Sequence, residues 1–152
     1  MIHLKSLFFC ILIPNLFGLL GTLLGNPSQG FENIVKPSFT PPAIVFPIAW
    51  IILYTLMGIS SYIVIQSKSN NTKLAIIIYG IQLIINSLWT LFFFRLKWYL
   101  FSFVWIIILI AFVAIMIYQF FKANKVASYL QIPYLVWLIF ASILNYSVYL
   151  LN

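Results

Sequence analysis

"KPSFTPPAIVFPIAWIILYTLMGISSYIVIQ", Lys36 to Gln66, sets four prolines around the start of a long apolar run and puts Trp50 just inside it. Proline fixes φ, lacks a backbone donor and restrains the residue before it, so Pro37, Pro41 and Pro42 form a stiff, extended approach. Thr40 is placed to cap the helix that follows. Prolines in a first turn are tolerated, because the N–H groups there are unpaired anyway. Pro47 is expected to loosen the next turn. From residue 44 to 66 no charged side chain intervenes. A helix of about 20 apolar residues, rising about 1.5 Å per residue, crosses roughly 30 Å of hydrocarbon.

The rest of the chain repeats this pattern. Of 152 residues 64% are hydrophobic and 6% charged, with a mean hydropathy of +1.13. A soluble domain covers its surface with about 25% charged residues, so this chain has no aqueous exterior to build. Apolar runs fall at about 4–24, 44–66, 73–94, 98–121 and 126–150, which predicts an all-α, polytopic membrane protein with five transmembrane helices in a single domain, 1–152. The breaks "QSKSNNTK", "RLK" and "KANK" are hairpin-length, so successive helices run antiparallel. The exception is the longer proline-rich loop, 25–43. No internal repeat is apparent. Lys5 ahead of the first run suggests a secretory signal, but that run is long for one and lacks a clean small-x-small cleavage site, so it reads as a span.

Eight Lys and Arg against Glu32 alone give a formal charge of +7. The cations stand singly or in pairs at the ends of apolar runs, with no basic stripe of the nucleic-acid type, and fit a leaflet surface better. Five crossings put Lys5, Lys68, Lys73, Lys122 and Lys125 on one side, and Lys36, Arg95 and Lys97 on the other. The positive-inside rule then places the N-terminus in the cytoplasm. Cys10 and His3 each stand alone, so neither a disulfide within the chain nor a metal site is expected.

Lipid-facing surface needs only aliphatic residues and Phe, so other side chains within the spans carry information. Pro47, Trp50, Tyr54, Met57, Gly58 and Ser61 recur at steps of three and four. So do Tyr79, Gln82, Asn86, Trp89 and Phe93 in the third span, and Tyr134, Trp137, Ala141 and Asn145 in the fifth. Each of these helices has one special face. Counted from the loop side, Asn145 lies about 8 Å deep, Trp50 about 10 Å, Asn86 about 12 Å, Asn15 about 14 Å and Trp137 about 20 Å. Amides in lipid need partners, so Asn15, Asn86 and Asn145 are expected to face the interior. They can act as helix glue alone, but their convergence with two deep tryptophans under one stiff loop favours a lidded pocket. Trp98, beside Arg95 and Lys97, fits an interfacial belt. Gly18, Gly21 and Gly25 permit close helix approach, either within the bundle or at a dimer seam.

Three segments, "KPSFTPP…W…LY..MG..SY" (Lys36–Tyr62), "NSLWTLFFF" (Asn86–Phe94) and "PYLVWLIFASILNY" (Pro133–Tyr146), resemble the TspO/MBR family in the same order. The resemblance implies a five-helix membrane bundle, often a homodimer, that binds protoporphyrin IX or a related tetrapyrrole beneath the first loop and requires no cofactor. Some bacterial members promote light-dependent oxidative breakdown of that ligand. By resemblance Trp50 and Trp137 are the candidate photo-oxidation residues, Asn86 binds ligand, and Pro42 and Ala141 match further motif positions. With Phe39, Phe93 and Asn145 these complete the expected ligand-binding set.

Three departures stand out. Phe39 occupies a position often held by tryptophan, which keeps the ring and drops the N–H. Trp105 falls where the family commonly carries an aspartate. No basic residue follows Lys125, so the sterol-recognition pattern is missing. The competing functions are a small-molecule transporter or transport-regulating receptor, and a structural partner of other membrane proteins. Coupled transport is disfavoured because no span carries an intramembrane charge. Acid–base or nucleophilic catalysis is disfavoured because the lone acid and lone histidine lie outside the spans.

Overall fold

A computed structural model describes residues 3–32 and 34–152. The chain forms α1 (Leu4–Gly25), α2 (Pro27–Glu32), α3 (Val45–Gln66), α4 (Thr72–Thr90, prolonged by a π-helical turn, Leu91–Arg95), α5 (Tyr99–Ala123), α6 (Lys125–Tyr129) and α7 (Ile132–Leu151). Five helical segments are long and apolar enough to cross a membrane: Leu4–Gly25, Val45–Gln66, Thr72–Arg95, Tyr99–Ala123 and Lys125–Leu151. They match the five apolar runs read from the sequence. Leu16, Ile51, Ile84, Ile107 and Val136 are exposed, one on each span, as a lipid-facing circumference requires.

Helix α1 meets α3 and α4 through its small residues. Pro14 in its middle has no N–H to give to the carbonyl of Cys10, and that carbonyl lies against Gly58 of α3. A Cβ on Gly58 would stand 2.7 Å from that oxygen and 2.8 Å from the Ile11 nitrogen, so the two backbones touch there. Gly18 packs under the Tyr54 ring, while Gly21 and Gly25 lie on the backbone of α4 at Ser87 and Thr90. Two hydroxyls of α4 strap the contact: Thr90 Oγ1 donates to the Gly21 carbonyl (2.6 Å) and Ser87 Oγ to that of Phe17 (2.8 Å). The glycine stripe is therefore used inside the chain, which settles the choice left open by its spacing.

The core runs along α3, α4, α5 and α7. Met57, Val64, Ala75, Val113, Met116 and Phe120 are fully enclosed. Several polar groups inside it find partners, as an apolar solvent favours. Tyr134 donates from its hydroxyl to Gln82 Oε1 (2.9 Å), and Asn145 Nδ2 donates to Ser102 Oγ (3.1 Å). Trp105 donates from Nε1 to the Ile85 carbonyl (2.8 Å) and ties α5 to α4. The indole that stands in the acid's place thus has a packing role of its own.

Several local expectations change. The loop after α1 contains α2, a short helix entered at Pro27 after Asn26 turns into the left-handed region (φ 48°). Thr40 does not cap α3. Its N–H and hydroxyl both bond the Pro37 carbonyl (3.0 and 2.7 Å), closing a turn within the loop, and Ile44 is the residue before α3. Pro47 lies in the first turn of α3, where no donor is missed, so it loosens nothing. The last run is two helices. Asn124 caps α6 by accepting from Val126 and Ala127, and α7 restarts with Pro133 in its first turn.

Candidate functional site

Under the proline-rich loop lies a cavity of about 640 Å³, bounded by residues of α1, α2, α3, α4, α5 and α7 and of the loop itself. Its floor is aromatic. Trp50 stacks on Tyr54 (ring centroids 5.2 Å apart, planes 26°) and meets Trp137 edge-on (6.5 Å, 84°). Trp137 in turn abuts Phe46 (6.0 Å, 70°), and Phe46 abuts Phe31 of α2 (5.4 Å, 63°). A continuous aromatic wall thus climbs from the middle of the bundle to the loop. Helix α4 supplies a second aromatic surface, with Trp89 stacked on Phe93 (4.9 Å, 19°).

Few polar groups punctuate this surface. Asn86 donates from Nδ2 to the Tyr54 hydroxyl (3.0 Å), and its carbonyl oxygen receives no donor among the described residues. The Trp89 Nε1–H is buried with no partner among the described residues. Asn15 satisfies its amide on the Ile11 carbonyl (2.8 Å) of its own helix. Among the described lining residues only Glu32 and Lys36 are charged, both toward the loop, and the Lys36 ammonium sits 4.1 Å from the centre of the Phe31 ring. An apolar recess with a few convergent donors and acceptors is the usual form of a small-molecule site, and 640 Å³ is within the usual size range of about 300–1,000 Å³.

The loop is anchored twice above the cavity. Ile34 is buried against Phe93 and Val148. Val35 is held by the Asn152 side chain, whose Oδ1 accepts the Val35 N–H and whose Nδ2 donates to the Val35 carbonyl, both at 3.0 Å. This anchoring explains why Trp50 and Trp137 touch although their counted depths differ by about 10 Å. Helix α7 ends level with Val35, whereas α3 begins ten residues later at Val45, after the loop has descended.

Of the residues picked out from the sequence, Trp50, Asn86, Phe93, Trp137, Ala141 and Asn145 all border this cavity. Pro42 and Phe39 do not; their neighbours Ala43 and Thr40 do. The Pro42 carbonyl accepts from Val45 and starts α3 (2.9 Å), while Phe39 is 49% exposed. A loop without helical periodicity gives no means of choosing which side chain turns inward. Asn145 borders the cavity with its amide already committed to Ser102. Tyr54, Phe46, Phe31 and Trp89 were not picked out as ligand-facing. Tyr54 and Trp89 sit on the helix stripes of Trp50 and Asn86, which was signal enough to include them.

A membrane bundle with an indole-floored recess beneath an anchored loop defines an integral multi-pass membrane protein with an internal small-molecule-sized chamber. The chain belongs to the TspO/MBR family, whose profile matches residues 10–151. It is 36% identical over 132 residues to the tryptophan-rich sensory protein of Cereibacter sphaeroides, covering 87% of this chain and 82% of that one. It is 40% identical over 122 residues to the tryptophan-rich protein TspO of Archaeoglobus fulgidus (80% and 79%), and 30% identical over 128 residues to the human translocator protein (82% and 76%).

Proposed function

We propose that the chain binds a flat tetrapyrrole of the protoporphyrin IX type in this cavity and promotes its light-dependent oxidative breakdown, acting as a sensor of tetrapyrrole or photo-oxidative stress. The observation that carries the reading is the meeting of Trp50, Trp137 and Asn86, from three separate helices, around one apolar-lined void. A macrocycle can stack on the indole faces while the Asn86 carbonyl and the Trp89 N–H orient its polar edge. In this reading light excites the ring and dioxygen is the oxidant. An indole, Trp50 or Trp137, passes an electron to the excited ring, and the reduced ring hands it to dioxygen as superoxide. The indole radical recovers its electron from the ring, and superoxide adds to the ring radical cation so formed. No acid–base group is needed; among the described lining residues the one acid, Glu32, stands toward the loop. The homodimer implied by the resemblance would be built on faces other than the α1 glycine stripe, which is occupied within the chain.

The test is irradiation of the porphyrin complex of the Trp50→Phe, Trp137→Phe double variant, with binding followed separately by porphyrin fluorescence. Breakdown should slow at least about tenfold while binding persists, since phenyl rings still stack but give up electrons far less readily. Unchanged breakdown with intact binding would discard the photo-oxidative role.

A further inference from the structure

Beside the main chamber, on the other side of α2, lies a second cleft of about 770 Å³ bordered by Thr22, Gly25, Asn26, Gln29, Arg95 and Lys97 among others. The two voids share two walls, Thr22 and Phe94. They are kept apart by close packing of α2 on the π-helical turn, where a Cβ on Gly30 would stand 2.9 Å from the Phe94 side chain. Two cations face one cleft with no acid among its lining residues; Glu32 borders the main chamber instead. Neither the Arg95 nor the Lys97 side chain has a hydrogen-bond or ion-pair partner among the described residues.

The backbone holds this arrangement against local preference. Lys97 has φ 56°, the left-handed region that a glycine normally fills after a helix end. The Trp98 N–H closes onto the Phe92 carbonyl and the Leu96 N–H onto that of Leu91, both at 3.0 Å, so the turn is fixed with Lys97 at its apex. Glycine would meet the geometric need at lower cost, and lysine adds only a charge, placed two residues from another charge of the same sign. Like charges sharing a cleft without a counter-ion repel, and an anion entering it relieves the repulsion.

We propose that Arg95 and Lys97 form an oxyanion subsite, which takes either a carboxylate at the edge of the ligand in the adjoining chamber or the phosphate of an anionic lipid at the leaflet surface. The carboxylate version rests on the tetrapyrrole reading above; the phosphate version does not. Arginine suits the planar oxyanion bidentately, and lysine adds a point charge.

The experiment compares wild type with Arg95→Gln/Lys97→Gln, and with Lys97→Gly, which keeps the left-handed turn and removes only the charge. Each is reconstituted in nanodiscs of phosphatidylcholine and titrated with protoporphyrin IX and with its dimethyl ester. Each is also scored by native mass spectrometry for phosphatidylglycerol retained from mixed lipid. A loss of about tenfold in affinity for the diacid, with the ester unchanged, supports the carboxylate source. Unchanged porphyrin affinities with phosphatidylglycerol retention lost support the phosphate source. Equal behaviour of all three proteins in both arms overturns the subsite. If wild type binds neither porphyrin, the tetrapyrrole reading fails and the lipid arm alone decides the cleft. Lys97→Gly should melt no lower than wild type, so a loss of anion binding there is not a loss of fold.

Discussion

Gly58→Ala should disrupt the protein far more than one added methyl suggests. The new Cβ would sit 2.7 Å from the Cys10 oxygen and 2.8 Å from the Ile11 nitrogen, and still closer to the Ile11 Cα. Non-bonded carbon needs about 3.5–4.0 Å from its neighbours, so the shortfall is on the order of 1 Å. All three obstacles are backbone atoms within a helix and cannot rotate away, so α1 as a whole must retreat from α3. That retreat also drags the straps from Thr90 and Ser87 and moves Asn15 and Gly18, which border the chamber. Overpacking of this kind costs about 1–3 kcal/mol, and each strained strap adds about 0.6 kcal/mol. Thermal melting in detergent should fall by several degrees, with porphyrin affinity reduced as the chamber wall shifts. Gly80→Ala is the control, because nothing lies within 4 Å of a Cβ there. It should be neutral or stabilising by up to about 1 kcal/mol, the helix-propensity gain. If Gly58→Ala melts with wild type, as Gly80→Ala should at the least, α1 and α3 are not in backbone contact and this helix arrangement is wrong.

Three further outcomes follow from the same coordinates. Asn86→Ala should weaken porphyrin binding about fivefold to tenfold, the worth of roughly one hydrogen bond, and lower stability by about 1 kcal/mol through the lost bond to Tyr54; undiminished affinity would remove Asn86 from the site. Trp105→Phe keeps the ring but loses the bond to the Ile85 carbonyl, so stability should drop by about 1 kcal/mol in melting experiments while porphyrin affinity stays constant. Asn152→Ala removes both bonds to Val35, so stopped-flow fluorescence should report faster porphyrin association and dissociation with a small change in the equilibrium constant. Unaltered rates would mean that the loop does not gate the chamber.

How much could be read in advance varied with the kind of element. The spans were legible because lipid admits only helices with all backbone groups paired internally, so length and apolarity alone fix them. The inward faces of α3, α4 and α7 were legible too, because a side chain that lipid rejects must point away from it: Gln82, Asn86 and Asn145 are all buried. Irregular segments were not legible. α2, the turn closed by Thr40, and the break between α6 and α7 depend on which carbonyl happens to lie within reach of a hydroxyl or amide. That is also why the cavity is lined by Thr40 and Ala43 and not by Phe39 and Pro42.

The chain's amino acids by themselves determined the number of crossings, the side of each helix that avoids lipid, and the presence of indoles and amides on those sides, since all three follow from the solvent each residue tolerates. Only the tertiary structure decided which of those groups meet. It brings Trp50 against Trp137, commits Asn145 to Ser102 while leaving the Asn86 carbonyl without a donor among the described residues, and turns the α1 glycines inward. Helix ends need not share a plane, and a loop can descend before the next helix starts, so vertical register between spans is set by packing and not by counting residues.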